Sequence, residues 1–236
     1  MTERYHRWHS PNLGLDVEML VFGDRGYPII LFPTSQGRYY QNKDEGLIDS
    51  VRWFIDEGLV KIYCPESFDW LTWYNKGVPP AERAKNYAWY DKMLIEELVP
   101  LATHETGINK VAAAGCSFGG YHAANFAFKH ADKVAHMFSM SGAFDIKMFT
   151  DGYYDDNVYY NNPVDYLPGS DQWGLWHMNI ILGTSDWDIC KEYNFQLSNI
   201  LKQKGINHWL DVRGWADHDW PLWKAMFPHY LSTIKE

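Results

Sequence analysis

A pentapeptide at residues 115–119, Gly-Cys-Ser-Phe-Gly, constrains the fold of this chain more than any other feature. An apolar run at 111–114 leads into it, and a helix-compatible stretch follows from Gly120. A serine at the tip of a tight strand-to-helix turn has strained backbone angles, and the flanking glycines leave room where strand and helix crowd together. The turn exposes the Ser117 hydroxyl at the positive end of a helix, next to the Phe118 N–H. This pattern is typical of a serine nucleophile.

A serine nucleophile needs a base and a group that orients the base, and candidates for both follow later in the chain. An apolar run at 178–182 ends in Gly-Thr-Ser-Asp, which places Asp186 at a strand end. A second strand-like run at 208–212 is followed by a loop that contains His218. Imidazole titrates near neutrality, so we predict that His218 is the base and that Asp186 orients it.

A second aspartate, Asp188, lies two residues beyond Asp186 and is the alternative orienting group. Asp186 is favoured because it directly follows the strand end. Both candidates keep the chain order Ser, Asp, His.

Hydrophobic periodicity predicts alternating strands and helices. Such alternation implies a mostly parallel sheet of about eight strands with helices on both faces, in a single domain spanning residues 1–236. The catalytic candidates all fall at the carboxyl ends of strands, where ligands bind in open α/β sheets. The segment 144–176 breaks the rhythm and is predicted to be a long loop or a minimal cap. The predicted strands are 5–10, 16–22, 27–32, 60–64, 110–116, 134–140, 178–183 and 207–213, and the predicted helices are 46–57, 81–106 with an interruption near Pro100, 120–130, 191–204 and 221–234.

Composition limits the environment and the partners. The formal net charge of −9 argues against binding to nucleic acid or to anionic membranes. We expect no signal peptide, because residues 1–11 are polar. Three cysteines without metal-ligand spacing favour free buried thiols in a reducing cytoplasm. We predict neither a cofactor nor a metal. Whether the chain forms a homo-oligomer is left open.

Aromatic residues make up 17% of the chain, which suggests an aromatic-lined cleft in addition to a heavily aromatic core. Trp70, Trp73 and Tyr74 follow a predicted strand at the same edge as the catalytic candidates. We predict that they bind substrate. For Trp70 and Trp73 the alternative, that they cover the core, is equally open.

The chain resembles the α/β-hydrolases, and more narrowly the putative esterase family that includes esterase D, enterochelin esterase and the bacterial mycolyltransferases. Nearly the whole chain takes part in the resemblance, which implies a metal-independent Ser-His-Asp esterase without a large lid. Four stretches carry the likeness: residues 115–120 (GCSFGG), 139–144 (SMSGAF), 183–186 (GTSD), and 218–220 (HDW) with Trp223.

One segment departs from the common α/β-hydrolase pattern. Many members carry His-Gly after the third strand, whereas this chain reads Phe-Pro-Thr-Ser-Gln-Gly at 32–37. The oxyanion hole is therefore predicted to consist of the Phe118 N–H and a second N–H from Ser35 or Thr34.

The predicted function is a serine carboxylesterase that hydrolyses small or medium acyl esters through an acyl-enzyme. The predicted partner is a small-molecule ester. Two alternatives stay open: an acyltransferase that uses the same acyl-enzyme, and a non-catalytic binding protein on the same fold.

Overall fold

Eight strands form one sheet in the computed structural model, which describes residues 1–234. The strands are β1 (Glu3–Ser10), β2 (Leu15–Phe22), β3 (Tyr27–Phe32), β4 (Val60–Pro65), β5 (Val111–Cys116), β6 (Val134–Met140), β7 (Asn179–Ser185) and β8 (Trp209–Arg213). Their spatial order is β1-β2-β4-β3-β5-β6-β7-β8. The pairs β1/β2 and β2/β4 are antiparallel, and every other neighbouring pair is parallel. The predicted eight-stranded, mostly parallel sheet is confirmed.

The central strands are apolar along their whole length because helices cover both faces of the sheet. Successive side chains of β3 alternate between two apolar layers. Ile30 and Phe32 join one layer, and Ile29 and Leu31 join the other. β5 is buried at every position, and Ser117 directly follows its carboxyl end at the edge of the sheet.

Helices divide between the two faces. The helices are α1 (Gln41–Asp44), α2 (Leu47–Ser50), α3 (Arg52–Asp56), α4 (Pro80–Met93), α5 (Val99–Thr106), α6 (Phe118–Lys129), α7 (Asp156–Tyr159), α8 (Pro163–Tyr166), α9 (Lys191–Gln203) and α10 (Trp220–Leu231). Helices α4, α5, α6 and α9 pack on one layer of the core, and α2, α3 and α10 pack on the other.

Two of the predicted helices are irregular, one of them as the sequence predicted. The predicted helix 46–57 is two short helices, α2 and α3, which are separated at Val51. The predicted helix 81–106 contains a π-helical segment, Leu94–Leu98, and continues as α5. Pro100 lies just beyond this segment, and a proline ring crowds the carbonyl four residues earlier, so the predicted interruption near Pro100 is found just before it.

The segment 144–176 packs onto the α6 face of the core. It contains short helical turns and α7 and α8, and it buries Phe144, Ile146, Leu167 and Leu175 in that layer. Among the described residues, no helix has the length and apolar character that crossing a bilayer requires.

Candidate active site

Ser117 occupies the sharp turn between β5 and α6. Its backbone has φ +55° and ψ −122°, a conformation that is rare for a residue with a side chain. The Ser117 N–H donates to the Met140 carbonyl at 2.8 Å, which anchors the turn to β6. Strain of this kind persists only where the surrounding structure enforces it, and it concentrates at functional sites.

The two glycines of the pentapeptide are required by close contacts. A Cβ atom at Gly115 would lie 2.2 Å from the Gly119 carbonyl oxygen. A Cβ atom at Gly119 would lie 2.4 Å from the Pro33 carbonyl oxygen. The second contact shows that the N-terminus of α6 lies directly against the loop that follows β3.

The structure brings His218 to Ser117. His218 lies in the loop between β8 and α10, and its Nε2 atom is 2.8 Å from the Ser117 Oγ atom. Trp223 of α10 packs edge-on against the imidazole with ring centroids 5.1 Å apart. The Trp223 indole N–H donates to Ser141 Oγ at 2.9 Å, which fixes the ring that supports the histidine.

The aspartate that contacts the histidine is Asp188, so the choice of Asp186 was wrong. Asp188 Oδ1 lies 2.7 Å from His218 Nδ1, and its side chain is 0% exposed. Asp186 is 45% exposed and lies 3.6 Å from the ammonium group of Lys191. The reason is a turn: the Asp188 N–H bonds back to the Ser185 carbonyl at 3.3 Å, which folds Asp188 inward and leaves Asp186 facing solvent.

Asp188 is held in place by several hydrogen bonds. Its Oδ1 atom accepts the Cys190 N–H at 2.7 Å, and its Oδ2 atom accepts the Thr184 hydroxyl at 3.1 Å. Burial raises the pKa of the Asp188 carboxyl, but hydrogen bonds from His218 and Ser141 outweigh burial, so its pKa lies below the ordinary value. The carboxylate therefore stays charged opposite the imidazole.

The two predicted oxyanion donors of the β3 loop differ in availability. The Thr34 N–H donates to Gln41 Oε1 at 2.9 Å, so Thr34 is ruled out as the second donor. The Ser35 N–H and the Phe118 N–H have no acceptor within residues 1–234. Phe118 is the first residue of α6, and the N–H groups of a first helical turn have no intrahelical partner.

The three predicted substrate-binding aromatics lie in different environments. Trp73 is 0% exposed and donates to the Tyr121 hydroxyl at 3.0 Å, so its prediction as a pocket residue was wrong. Trp70 is exposed and packs beside Phe68, and its substrate role stays a prediction. The Tyr74 hydroxyl donates to Ser35 Oγ at 2.9 Å, which places Tyr74 beside the candidate oxyanion loop.

Sequence reasoning missed an exposed tryptophan pair on the loops that carry Asp188 and His218. Trp187 and Trp215 are 55% and 76% exposed, and their rings meet edge-to-face at 5.5 Å. Trp215 has φ +57°, a strained value for a bulky residue. The only sequence signal was the position of each tryptophan, one and three residues from a catalytic candidate.

One group of side chains within residues 1–234 has the spacing of metal ligands. Ligand atoms of Asp188, Cys190 and His218 all lie within 4.8 Å of one another. Metals bind the thiolate, whereas burial raises the pKa of the Cys190 thiol to about 12. Asp188 and His218 are already hydrogen-bonded to each other, so the group suits proton transfer better than metal binding.

A groove of about 620 Å³ lies away from these residues. It is lined by Tyr27 and Val60, which begin β3 and β4, and by Trp53 and Ile234. It therefore opens at the sheet edge opposite Ser117 and does not belong to the candidate site.

Solved structures with the same architecture include a ferulic acid esterase, an S-formylglutathione hydrolase and a serine hydrolase. A ferulic acid esterase matches with a TM-score of 0.78 at 18% identity, covering 98% of this chain and 96% of that one. An S-formylglutathione hydrolase from Agrobacterium tumefaciens matches with a TM-score of 0.76 at 11% identity, covering 98% and 93%. The Staphylococcus aureus fluorophosphonate-binding serine hydrolase FphF matches with a TM-score of 0.74 at 16% identity, covering 98% and 97%.

These likenesses define the fold as that of the α/β-hydrolases, as predicted. The sequence matches the family described as "Putative esterase" over residues 30–234, and the chain belongs to that family. It is accordingly a carboxylic-ester hydrolase. No curated protein matches the chain in sequence.

Proposed function

We propose that this chain is a serine carboxylesterase that cleaves small or medium acyl esters through a covalent acyl-enzyme. The observation that carries the proposal is the continuous hydrogen-bonded series from Ser117 Oγ through His218 to Asp188. A buried carboxylate that accepts from Nδ1 leaves Nε2 facing the serine, which is the arrangement a general base requires.

The proposed reaction has two stages, formation of the acyl-enzyme and its hydrolysis. His218 Nε2 takes the Ser117 proton as Oγ attacks the acyl carbon, and the Asp188 carboxylate stabilises the imidazolium that forms. The N–H groups of Phe118 and Ser35 stabilise the oxyanion of the tetrahedral intermediate. Nε2–H then protonates the departing alcohol oxygen, and a water molecule activated by the same nitrogen hydrolyses the ester of Ser117.

The direct test is labelling with a fluorophosphonate, which reacts with activated serines and does not require the natural substrate. We expect a single modification, which peptide mapping assigns to Ser117, since within residues 1–234 this is the hydroxyl that is paired with an imidazole–carboxylate couple. Heat-denatured protein is the control and should not be labelled. Labelling of the native chain at another residue, or none, would overturn the proposal.

We also expect kcat/KM for p-nitrophenyl acetate to fall when the assay pH is lowered from about 8 to about 5. The base must be unprotonated, so protonation of His218 removes activity. The pKa of Asp188 is lowered, so this carboxylate stays ionised across that range and adds no second proton to the loss. A profile that is flat over this interval, after correction for spontaneous hydrolysis, would contradict His218 as the base.

A further inference from the structure

A second histidine–aspartate pair, Asp69 with His122, lies buried behind the candidate oxyanion hole. We propose that this pair positions both oxyanion donors by tying the loop after β3 to the first turns of α6. Asp69 and His122 are thus positioning residues, which act through the backbone N–H groups of Ser35 and Phe118. The inference rests on the proposed function, because it concerns the oxyanion hole of that reaction.

The pair is enclosed by protein. Both side chains are 0% exposed, and His122 Nε2 lies 3.0 Å from Asp69 Oδ1. A carboxylate only accepts, so Nε2 carries the proton of this hydrogen bond. The other ring nitrogen, Nδ1, lies 3.0 Å from the Tyr87 hydroxyl. Burial raises the pKa of Tyr87, so this hydroxyl keeps its proton and donates it to Nδ1.

The second oxygen of Asp69 holds the candidate oxyanion loop. Asp69 Oδ2 accepts the Gln36 N–H at 2.7 Å. Gln36 has φ +55°, a backbone conformation that is uncommon for residues other than glycine. On the other side of Ser35, the Thr34 carbonyl accepts the Gly37 N–H at 2.9 Å. The peptide planes before and after Ser35 are therefore both anchored, and the direction of the Ser35 N–H is fixed.

The His122 end of the pair reaches the other donor. His122 lies on α6, five residues after Ser117, and its ring meets the Phe118 ring edge-to-face at 4.9 Å. It also packs beside Phe32, the last residue of β3, with centroids 5.7 Å apart. The pair thus spans the gap between the loop that supplies one N–H and the helix that supplies the other.

Burying a carboxylate carries a desolvation cost that its hydrogen bonds do not always repay. Here the pair is placed where backbone donors must be aimed before the reaction begins. Donors aimed in advance stabilise developing charge without reorganisation during the reaction.

The chain contains a matched control at the C-terminal end of α6. Asp91 and His130 form another aspartate–histidine pair, with His130 Nε2 3.1 Å from Asp91 Oδ2. His130 follows the C-terminal end of α6, and its pair with Asp91 makes no hydrogen bond to the loop after β3 within the described residues. A general loss of stability through α6 should therefore appear in both pairs, whereas a loss of oxyanion positioning should appear only in the first.

The experiment compares Asp69→Ala, Asp69→Asn and Asp91→Ala in p-nitrophenyl acetate hydrolysis, with folding monitored by circular dichroism. We expect Asp69→Ala to lower kcat by about 10²–10³-fold, the effect of losing one oxyanion donor, while KM changes less than about threefold. Asp69→Asn keeps an acceptor for Gln36 and should recover most of the activity. Asp91→Ala should keep kcat within about threefold even if its thermal midpoint falls. The acid limb of the pH profile should stay unchanged in every variant, because His218 and Asp188 are untouched.

If Asp69→Ala does not fold, His122→Leu and His122→Gln replace it. The glutamine retains an N–H for Asp69 and should keep most of the activity, whereas the leucine should reproduce the loss in kcat. A folded Asp69→Ala or His122→Leu with wild-type kcat would overturn the inference, as would an equal loss in Asp91→Ala. Absence of fluorophosphonate labelling in the wild-type chain would instead refute the proposed function, so the two failures are distinguishable.

Discussion

Replacement of Ser117 by alanine should abolish the turnover of p-nitrophenyl acetate while leaving the fold intact. Loss of the nucleophile in serine hydrolases lowers kcat by about 10⁶-fold, and only the stabilising effect of the oxyanion donors remains. The Ser117 hydroxyl makes its hydrogen bond to His218, so its removal affects one contact at a half-buried site. We expect the thermal unfolding midpoint to stay within a few degrees of the wild-type value. Turnover and circular dichroism on the same preparation measure both quantities.

The chain offers a control for removing a histidine-bound serine hydroxyl. Ser198 Oγ lies 2.7 Å from His208 Nε2, a distance close to that between Ser117 and His218. His208 Nδ1 faces the Ile206 carbonyl and has no carboxylate partner there. His208 also precedes β8, at the sheet edge opposite Ser117. Ser198→Ala should therefore retain full activity, and persistent turnover in Ser117→Ala would show that the assigned nucleophile is wrong.

The fold could be predicted from the sequence because the features that determine it are local. Strands buried on both faces are continuous apolar runs, and the strand-to-helix turn at Ser117 requires small residues on both sides. The break at Val51 could not be predicted, because no glycine or proline marks it. The break near Pro100 could be predicted, because a proline ring crowds the carbonyl four residues earlier, and residue 96 lies within the π-helical segment Leu94–Leu98.

The candidate site could be predicted only in part, because some of its contacts join residues that are far apart in sequence. Ser117 and His218 each follow a strand and had no well-placed rival. The burial of Trp73 could not be predicted from the residues next to it in sequence, because its indole N–H bonds to the Tyr121 hydroxyl of α6, 48 residues away. The segment 139–144, which contains Ser141, was one of the stretches that carry the family resemblance. The contacts of Ser141 with Asp188 and Trp223 could not be predicted, because the three residues follow three different strands.

The choice between Asp186 and Asp188 depends on one turn, and their variants should therefore differ widely. Asp188→Asn places an amide where the imidazole, the Cys190 N–H and the Thr184 hydroxyl all require an acceptor. An amide group beside Nδ1 favours the tautomer whose Nε2 bears hydrogen and cannot accept the Ser117 proton. We expect kcat to fall by about 10³–10⁴-fold, as in other serine hydrolases that lose this carboxylate. Steady-state kinetics of p-nitrophenyl acetate hydrolysis measure the loss.

Asp186→Asn is the matched variant two residues away. It removes only a solvent-exposed ion pair with Lys191, and such pairs contribute about 0–1 kcal/mol to stability. We expect kcat within about twofold of the wild type. The lowered pKa of Asp188 also means that its carboxylate stabilises the fold above its unfolded-state pKa, and that this contribution is lost as the pH falls through the folded-state value. Asp188→Asn should therefore be less stable at neutral pH, with less further loss in acid than the wild type. A larger kinetic loss in Asp186→Asn than in Asp188→Asn would return the orienting role to Asp186, because the carboxylate that holds the imidazole is the one whose removal the reaction cannot tolerate.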